Sequence, residues 1–298
     1  MDTASSSVPS HLSLIRNASK RRHEGGETIV DLQLANSVAV VIGGAKGIGQ
    51  AIVRGFAQEG VHVAIVDVDT GVQSLADELA AATSAQTLAA VADATDYESL
   101  QTIATRVISE FGRVDHLVYA AGAGSGKYGF PFWNLSPADW QRVIDINLLG
   151  AVNAAHAFTP EMTAARHGTV LFLSSIAGQI GSQTDPPYSA AKAAVINFAQ
   201  CAAKDLAQYD VRVNTICPGM VKTAVNESVW KAWQNAQPES QQLSYDEWAT
   251  AKIAATTPLN RWQEPADVAA LALYLASPLA HNITGQTMNV DGGIVMHS

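Results

Sequence analysis

A tyrosine and a lysine stand four positions apart in Pro186-Pro187-Tyr188-Ser189-Ala190-Ala191-Lys192. On a helix that spacing is one turn, so both side chains project from the same face. A free phenol has a pKa of about 10, so at pH 7 roughly one in a thousand is ionised, a deficit of about 4 kcal/mol. A neighbouring ammonium and a positive nicotinamide ring would both stabilise the phenolate. Tyr188 could then take the proton of an alcohol as hydride leaves, or protonate a forming alkoxide in reverse. Ser175 ends an apolar run thirteen positions upstream, where it could hold the substrate oxygen, and Asn147 lies earlier in Asp145-Ile146-Asn147. Each residue alone has a bland explanation: Ser175 a cap, Lys192 a solvated charge, Tyr188 a packed aromatic, Asn147 a polar residue bending a helix. All four behind one glycine-rich turn point to nicotinamide-dependent alcohol/ketone chemistry.

That turn is Gly43-Gly44-Ala45-Lys46-Gly47-Ile48-Gly49, entered from the apolar Val40-Val41-Ile42. A tight turn needs backbone freedom, and a pyrophosphate must approach bare N–H groups. The glycines are spaced Gly-x-x-x-Gly-x-Gly, not Gly-x-Gly-x-x-Gly. Eighteen residues after Gly49, Asp67 closes Val63-Ala64-Ile65-Val66. A carboxylate there accepts bonds from ribose hydroxyls and repels a 2′-phosphate. Lys46 pulls the other way. A like charge set directly at the ribose is hard to overcome, so NAD is expected as the cofactor, with NADP the weaker candidate.

The elements that position these residues alternate. Short apolar runs predict strands at 38–42, 61–66, 88–91, 117–120, 169–173, 211–216 and 287–290. Helical spacing predicts helices at 47–58, 72–82, 97–111, 137–162, 188–209 and 267–275. Such alternation predicts an α/β fold with a parallel sheet covered on both faces. Right-handed crossovers make it doubly wound, Rossmann-type, with ligands at the carboxyl ends of the strands. The expectation is an N-terminal extension at 1–33, disordered, and a dinucleotide-binding and catalytic domain at 34–298 carrying a helical substrate lid at about 224–258.

Composition agrees. Of 298 residues, 48% are hydrophobic and 15% charged, which suits a buried parallel sheet and excludes disorder for the bulk of the chain. The net charge of −9 gives no reason to expect nucleic acid or a membrane surface as partner. Two cysteines, Cys201 and Cys217, form no disulfide framework, so a reducing, cytoplasmic location is expected. No Cys/His cluster has metal-ligand spacing.

Over about residues 34–298 the chain resembles the short-chain dehydrogenase/reductase family. The likeness rests on the glycine turn, Asp93-Ala94-Thr95, Ala120-Ala121-Gly122, Asn147, Ser174-Ser175, Tyr188 to Lys192, Pro218-Gly219-Met220-Val221-Lys222-Thr223 and Asn289-Val290-Asp291-Gly292-Gly293. The resemblance implies a catalytic tetrad of Asn147, Ser175, Tyr188 and Lys192, with Asn147 supporting a water path to Lys192. It implies cofactor contacts from Gly43, Lys46, Gly47, Ile48, Gly49, Asp67, Ala120, Gly122, Tyr188 and Lys192. It adds adenine contacts at Asp93 and Ala94, nicotinamide contacts at Val221 and Thr223, and a homotetramer built partly on helices near 137–162 and 188–209. Two positions depart from the family pattern. Ile42 stands where Thr is usual, and Tyr119-Ala120 replaces Asn-Asn, which would remove polar contacts between the central strands.

The substrate is expected to be a small secondary alcohol or ketone. The pocket should draw on 123–134, 176–187 and 224–258. Lys127, Tyr128, Phe130, Phe132, Trp133, Trp230, Trp233 and Trp248 either wall an apolar pocket or pack a mobile lid. Gln179, Gln183 and Asp185 suit a hydroxylated substrate or a solvated loop. The pattern of 217–258 resembles that of polyol, sugar-alcohol and acetoin-type dehydrogenases of the family, and 3-oxoacyl-thioester reductases share many of the same motifs. A non-catalytic nucleotide-binding protein is the alternative of another class, and the intact Tyr188/Lys192 pair argues against it.

Overall fold

All five residues of the first strand, β1 (Val38–Ile42), are buried. Its apolar, mostly β-branched side chains suit a strand covered on both faces. The computed structural model describes residues 30–127, 131–182 and 184–296. After β1 come α1 (Gly47–Gln58), β2 (His62–Asp67), α2 (Val72–Ala82), β3 (Thr87–Val91), α3 (Tyr97–Phe111) and β4 (His116–Tyr119). The second half holds α4 (Gln141–Ile144), α5 (Gly150–Ala165), β5 (Gly168–Leu173), α6 (Pro186–Leu206) and β6 (Val211–Pro218). It ends with α7 (Ala224–Asn235), α8 (Tyr245–Thr256), α9 (Pro265–Ala276) and β7 (Thr287–Val290). The seven strands form one sheet in the order β3-β2-β1-β4-β5-β6-β7. Every pairing is parallel.

The strand order reverses between β1 and β4, which opens a crevice at their carboxyl ends. The glycine turn leaves β1 there, and Ala120 to Gly122 leave β4 beside it. Under the sheet, Ile42, Leu117, Tyr119, Phe158 and Phe172 belong to one buried apolar cluster. Among the described residues no helix is long and apolar enough to cross a membrane, and no group of His, Cys, Asp and Glu could hold a metal ion.

Two details differ from the sequence reading. The helix expected at 137–162 is not uniform: a 3₁₀ turn (Pro137–Asp139) and α4 lead into a π-turn at Asp145–Leu149, which passes into α5. The helix expected from Tyr188 starts earlier, because Asp185 caps it and Pro186 and Pro187 occupy its first positions, where a missing N–H costs nothing. The stretch 224–258 is two helices joined by a short link. The expected disordered extension falls mainly on residues 1–29, which lie outside the described residues, as do Tyr128, Phe130 and Gln183.

Candidate active site

The glycine turn is shaped by close approaches. Gly43 has φ +82°, and a Cβ there would press on the backbone of Ala121 at the end of β4. Gly47, with φ +55°, lies against Thr223, the nearest side-chain atom being 3.6 Å from where its Cβ would be. No side chain caps the first turn of α1, so its N–H groups and the positive end of the helix dipole are left for an anion. These features fit a pyrophosphate lodged between Gly47, Ile48, Gly49 and Thr223.

Asp67 is the last residue of β2, paired with Val91 of β3. Its carboxylate accepts from the N–H of Ala45 (3.0 Å) and of Asp69 (3.0 Å). It therefore sits against the glycine turn, where a ribose would meet it. Lys46 forms an ion pair with Asp69. That contact pulls the half-buried Asp69 carboxyl below its usual range and raises the Lys46 ammonium. Asp93 accepts from the N–H and the hydroxyl of Thr95, both at 2.8 Å. Asn153 of α5 donates to the carbonyls of Ala94 (3.1 Å) and Thr95 (3.2 Å), holding that loop against the helix. Nothing in the sequence marked Asn153, since a helical asparagine carries no signal of its partner.

Ser175, Tyr188 and Lys192 are brought together by stitching between the turn after β5 and α6. Ser174 donates to the Lys192 carbonyl (2.8 Å), and Ser189 donates to the Ala177 carbonyl. A Cβ on Gly178 would overlap the α6 backbone at Lys192 and Ala193. The Ser175 hydroxyl accepts from the Ala177 N–H (3.1 Å) and stands near the Tyr188 phenol. Lys192 is 3% exposed. Its ammonium donates to the Leu173 carbonyl (2.8 Å) and lies 5.5 Å from the centre of the Tyr188 ring. Burial pulls it down to about 8. Burial also pushes the Tyr188 phenol up to about 12, a rise that the nearby Ser175 hydroxyl opposes.

Asn147 is fully buried in the π-turn. Its amide donates to the carbonyls of Ala123 (2.7 Å) and Val143 (2.9 Å), while Oδ1 has no partner among the described residues. A Cβ on Gly122 would come within 2.9 Å of that Oδ1 and 3.2 Å of the Lys192 ammonium. Gly122 thus keeps open a small space faced by both groups, and an orphaned buried acceptor beside a buried ammonium fits a bridging water. The tyrosine at 119 adds a contact where a loss was expected: its hydroxyl donates to the Ile146 carbonyl.

Val221 forms a parallel bridge with Gln263. Gln263 is buried, and sequence spacing gave no hint of it. Thr223 precedes α7, and its carbonyl accepts from the Glu227 N–H. Gln179 is not free for a substrate, since it exchanges amide bonds of 2.8 and 3.0 Å with Asn289 of β7. Asp185 is partly buried; it accepts from the Ser125 N–H (2.7 Å), and burial raises its carboxyl. Trp133 and Phe132 are largely exposed, whereas Trp248 is buried.

A parallel sheet with a glycine cradle at its switch point, and a tyrosine, lysine and serine joined beside it, defines a dinucleotide-dependent oxidoreductase. Comparison with known proteins agrees. A family model described as enoyl-(acyl carrier protein) reductase matches residues 43–295. The chain is 34% identical over 266 residues to galactitol 2-dehydrogenase of Agrobacterium fabrum, covering 88% of this chain and 98% of that one. It is 32% identical over 266 residues to 3-oxoacyl-[acyl-carrier-protein] reductase FabG of Thermotoga maritima, covering 89% and 100%. The solved structure of L-sorbose reductase from Gluconobacter frateurii, complexed with NADPH and L-sorbose, superposes with a TM-score of 0.81 at 26% identity, covering 90% and 100%. The chain belongs to the short-chain dehydrogenase/reductase family, nicotinamide-dependent oxidoreductases acting on alcohols and ketones.

Proposed function

We propose that the protein is an NAD-dependent dehydrogenase/reductase of polyhydroxylated secondary alcohols and their ketones, with Asn147, Ser175, Tyr188 and Lys192 as its working residues. The observation that carries this reading is the meeting of Ser175, the Tyr188 phenol and the Lys192 ammonium at the carboxyl end of β5, beside the glycine cradle. The residues that would hold the cofactor are Gly43, Lys46, Gly47, Ile48 and Gly49 at the pyrophosphate, Asp67 at the ribose, Asp93 and Ala94 at the adenine, and Ala120, Gly122, Val221 and Thr223 toward the nicotinamide. Bound there, the nicotinamide supplies or accepts the hydride. Ser175 orients the substrate oxygen. Tyr188, a protonated phenol near neutral pH, gives its proton to the forming alkoxide in the reductive direction. Lys192 holds positive charge beside the phenol, so the phenolate left behind is stabilised as it forms. In the oxidative direction the same groups run in reverse.

NAD is favoured over NADP by the two carboxylates of Asp67 and Asp69 beside the turn, the second of which neutralises Lys46. The NADPH in the L-sorbose reductase structure argues the other way for that protein. For the substrate, galactitol 2-dehydrogenase and L-sorbose reductase both point to sugar-derived alcohols and ketones. The likeness to FabG supports a second reading, reduction of a 3-oxoacyl thioester. The net charge of −9 weighs against it where the thioester is carried by an acidic protein. We read the enzyme as a cytoplasmic homotetramer with a lid at about 224–258. The deciding experiment is an NAD-linked screen across galactitol, sorbitol, L-sorbose, acetoin, cyclic alcohols and a β-ketoacyl thioester. Turnover of the thioester with none of the polyols or ketoses would replace the first reading with the second.

A further inference from the structure

Tyr119, the residue that departs from the family's usual asparagine, touches the helix that carries Asn147. It is the last residue of β4 and is fully buried. Its hydroxyl donates to the Ile146 carbonyl, one residue before Asn147. That carbonyl is a special one. In an unbroken α-helix it would accept the N–H of Gly150, four residues on. Here the Gly150 N–H goes to Asp145 instead, five residues back, which makes the segment a π-turn. The Ile146 carbonyl is thereby displaced from its usual donor, and a carbonyl turned away from water and left without a donor is costly. The phenol supplies the donor. Gly150 completes the fit, because a Cβ there would overlap the phenol oxygen.

The turn matters for what it holds. π-Turns inside helices often mark functional sites, since the extra residue re-aims one side chain. The residue re-aimed here is Asn147, with its amide on Ala123 and Val143 and its unpartnered Oδ1 beside Lys192. We propose that Tyr119 is a positioning residue for the reaction: its hydroxyl, bonded to the Ile146 carbonyl over Gly150, fixes the π-turn that aims Asn147 at the Lys192 ammonium. The proposal rests on the role given above to Asn147. Tyr119 touches neither substrate nor cofactor and acts only through the turn.

Two measurements on the full chain test it. The first needs no turnover: amide hydrogen exchange of ligand-free Tyr119→Phe. Exchange at residues 145–151 should quicken selectively, with the strands β1, β4 and β5 unchanged. Unchanged exchange at 145–151 would overturn the proposal. The second is a kinetic cycle of Tyr119→Phe, Asn147→Ala and the double variant, assayed with the best polyol or ketose of the screen above. Tyr119→Phe alone should lower kcat by roughly ten- to a hundredfold, the scale of a small misplacement in an active site. In the Asn147→Ala background it should lower kcat no further, because groups acting as a unit are not additive. An equal fractional loss in both backgrounds would mean a general packing role and overturn the proposal. If Tyr119→Phe does not fold, Gly150→Ala, which pushes the phenol away, decides the same cycle. Full kcat in Asn147→Ala would strike the reading of Asn147 itself, and the role of Tyr119 would fall with it.

Discussion

The ammonium of Lys46 is bound to the carboxylate of Asp69, two residues beyond the ribose-site candidate Asp67. Asp69 is held in that position by the N–H of Gly71, at 2.8 Å. The cation that would otherwise invite a 2′-phosphate is thus already matched, and Asp67 faces the turn through the Ala45 N–H.

Wild-type kcat/KM should therefore be higher with NAD(H) than with NADP(H), and Asp67→Ala should narrow or invert the preference. Asp69→Asn should shift the ratio toward NADP by roughly two- to fivefold, the scale of an exposed charge pair. That shift should shrink in 1 M salt, where screening acts over about 3 Å. Steady-state kinetics with both cofactors at two salt concentrations checks this. A wild-type preference for NADPH would discard the NAD assignment, while an unmoved ratio in Asp69→Asn would discard the role of the ion pair alone.

Tyr188→Phe should remove turnover, lowering kcat by roughly a hundredfold or more, because it deletes the proton-transfer atom. The dissociation constant of NAD should barely change, since the ring remains. Lys192→Ala should damage both, because its ammonium faces the phenol and the cofactor cleft alike. Retention of a tenth or more of wild-type kcat in Tyr188→Phe would contradict the mechanism.

The sheet and the chemistry were legible in the sequence for a physical reason. Parallel strands buried on both faces must be apolar runs, and phosphate turns must be glycine-rich, so both leave local marks. The constellation of Ser175, Tyr188 and Lys192 was legible because helical and strand-end spacing is fixed by covalent geometry. Partnerships across the fold left no such mark. The pairing of Gln179 with Asn289 spans 110 positions, and each amide reads locally as a free polar residue. The π-turn at Asn147 receives a donor from a distant strand, Tyr119, which seemed in isolation to be a lost polar contact.

His116 should make the fold acid-sensitive. It is 3% exposed, its ring nitrogens meet Thr169 (2.8 Å) and Ser37 (3.1 Å), and it stacks on Phe56 at 5.6 Å. Burial, opposed by Asp115 and assisted by His167, Arg212 and Arg113, pulls its pKa to about 4 from 6.5. The unfolded chain then binds a proton that the folded chain refuses, so this residue's contribution is intact above about pH 6.5 and is lost as pH falls toward 4. The loss by pH 4 should be roughly 3 kcal/mol. Urea denaturation across that range should show the slope, and His116→Gln should flatten it. Equal slopes in the two proteins would mean that other groups set the acid sensitivity.

The last expectation concerns α7 and α8. Trp230 packs against Tyr245 with centroids 5.7 Å apart, Tyr245 against Trp248 at 6.2 Å, and Trp233 against Trp248 at 6.3 Å. The Trp230 indole donates to the Leu243 carbonyl (3.0 Å), closing the link between the helices. These aromatics give the pair a small core of its own, so it should move as a unit and not as a loose loop. Asn226 Oδ1, Gln234 Oε1 and the Tyr245 hydroxyl, all on these two helices, are buried without partners among the described residues, which leaves acceptors and a donor ready for a polar ligand. Thr223, at the start of α7, links the pair to the glycine turn through its approach to Gly47. Closure over a bound substrate would exclude water from the hydride-transfer site. Amides of 224–256 should therefore exchange faster than those of β1, β4 and β5 in the ligand-free enzyme, and slow markedly with cofactor and substrate together. Trp233→Ala should raise KM and broaden the substrate range with little change in NAD affinity. Equal protection of 224–256 with and without ligands would make the pair a fixed wall, and the lid would have to be abandoned.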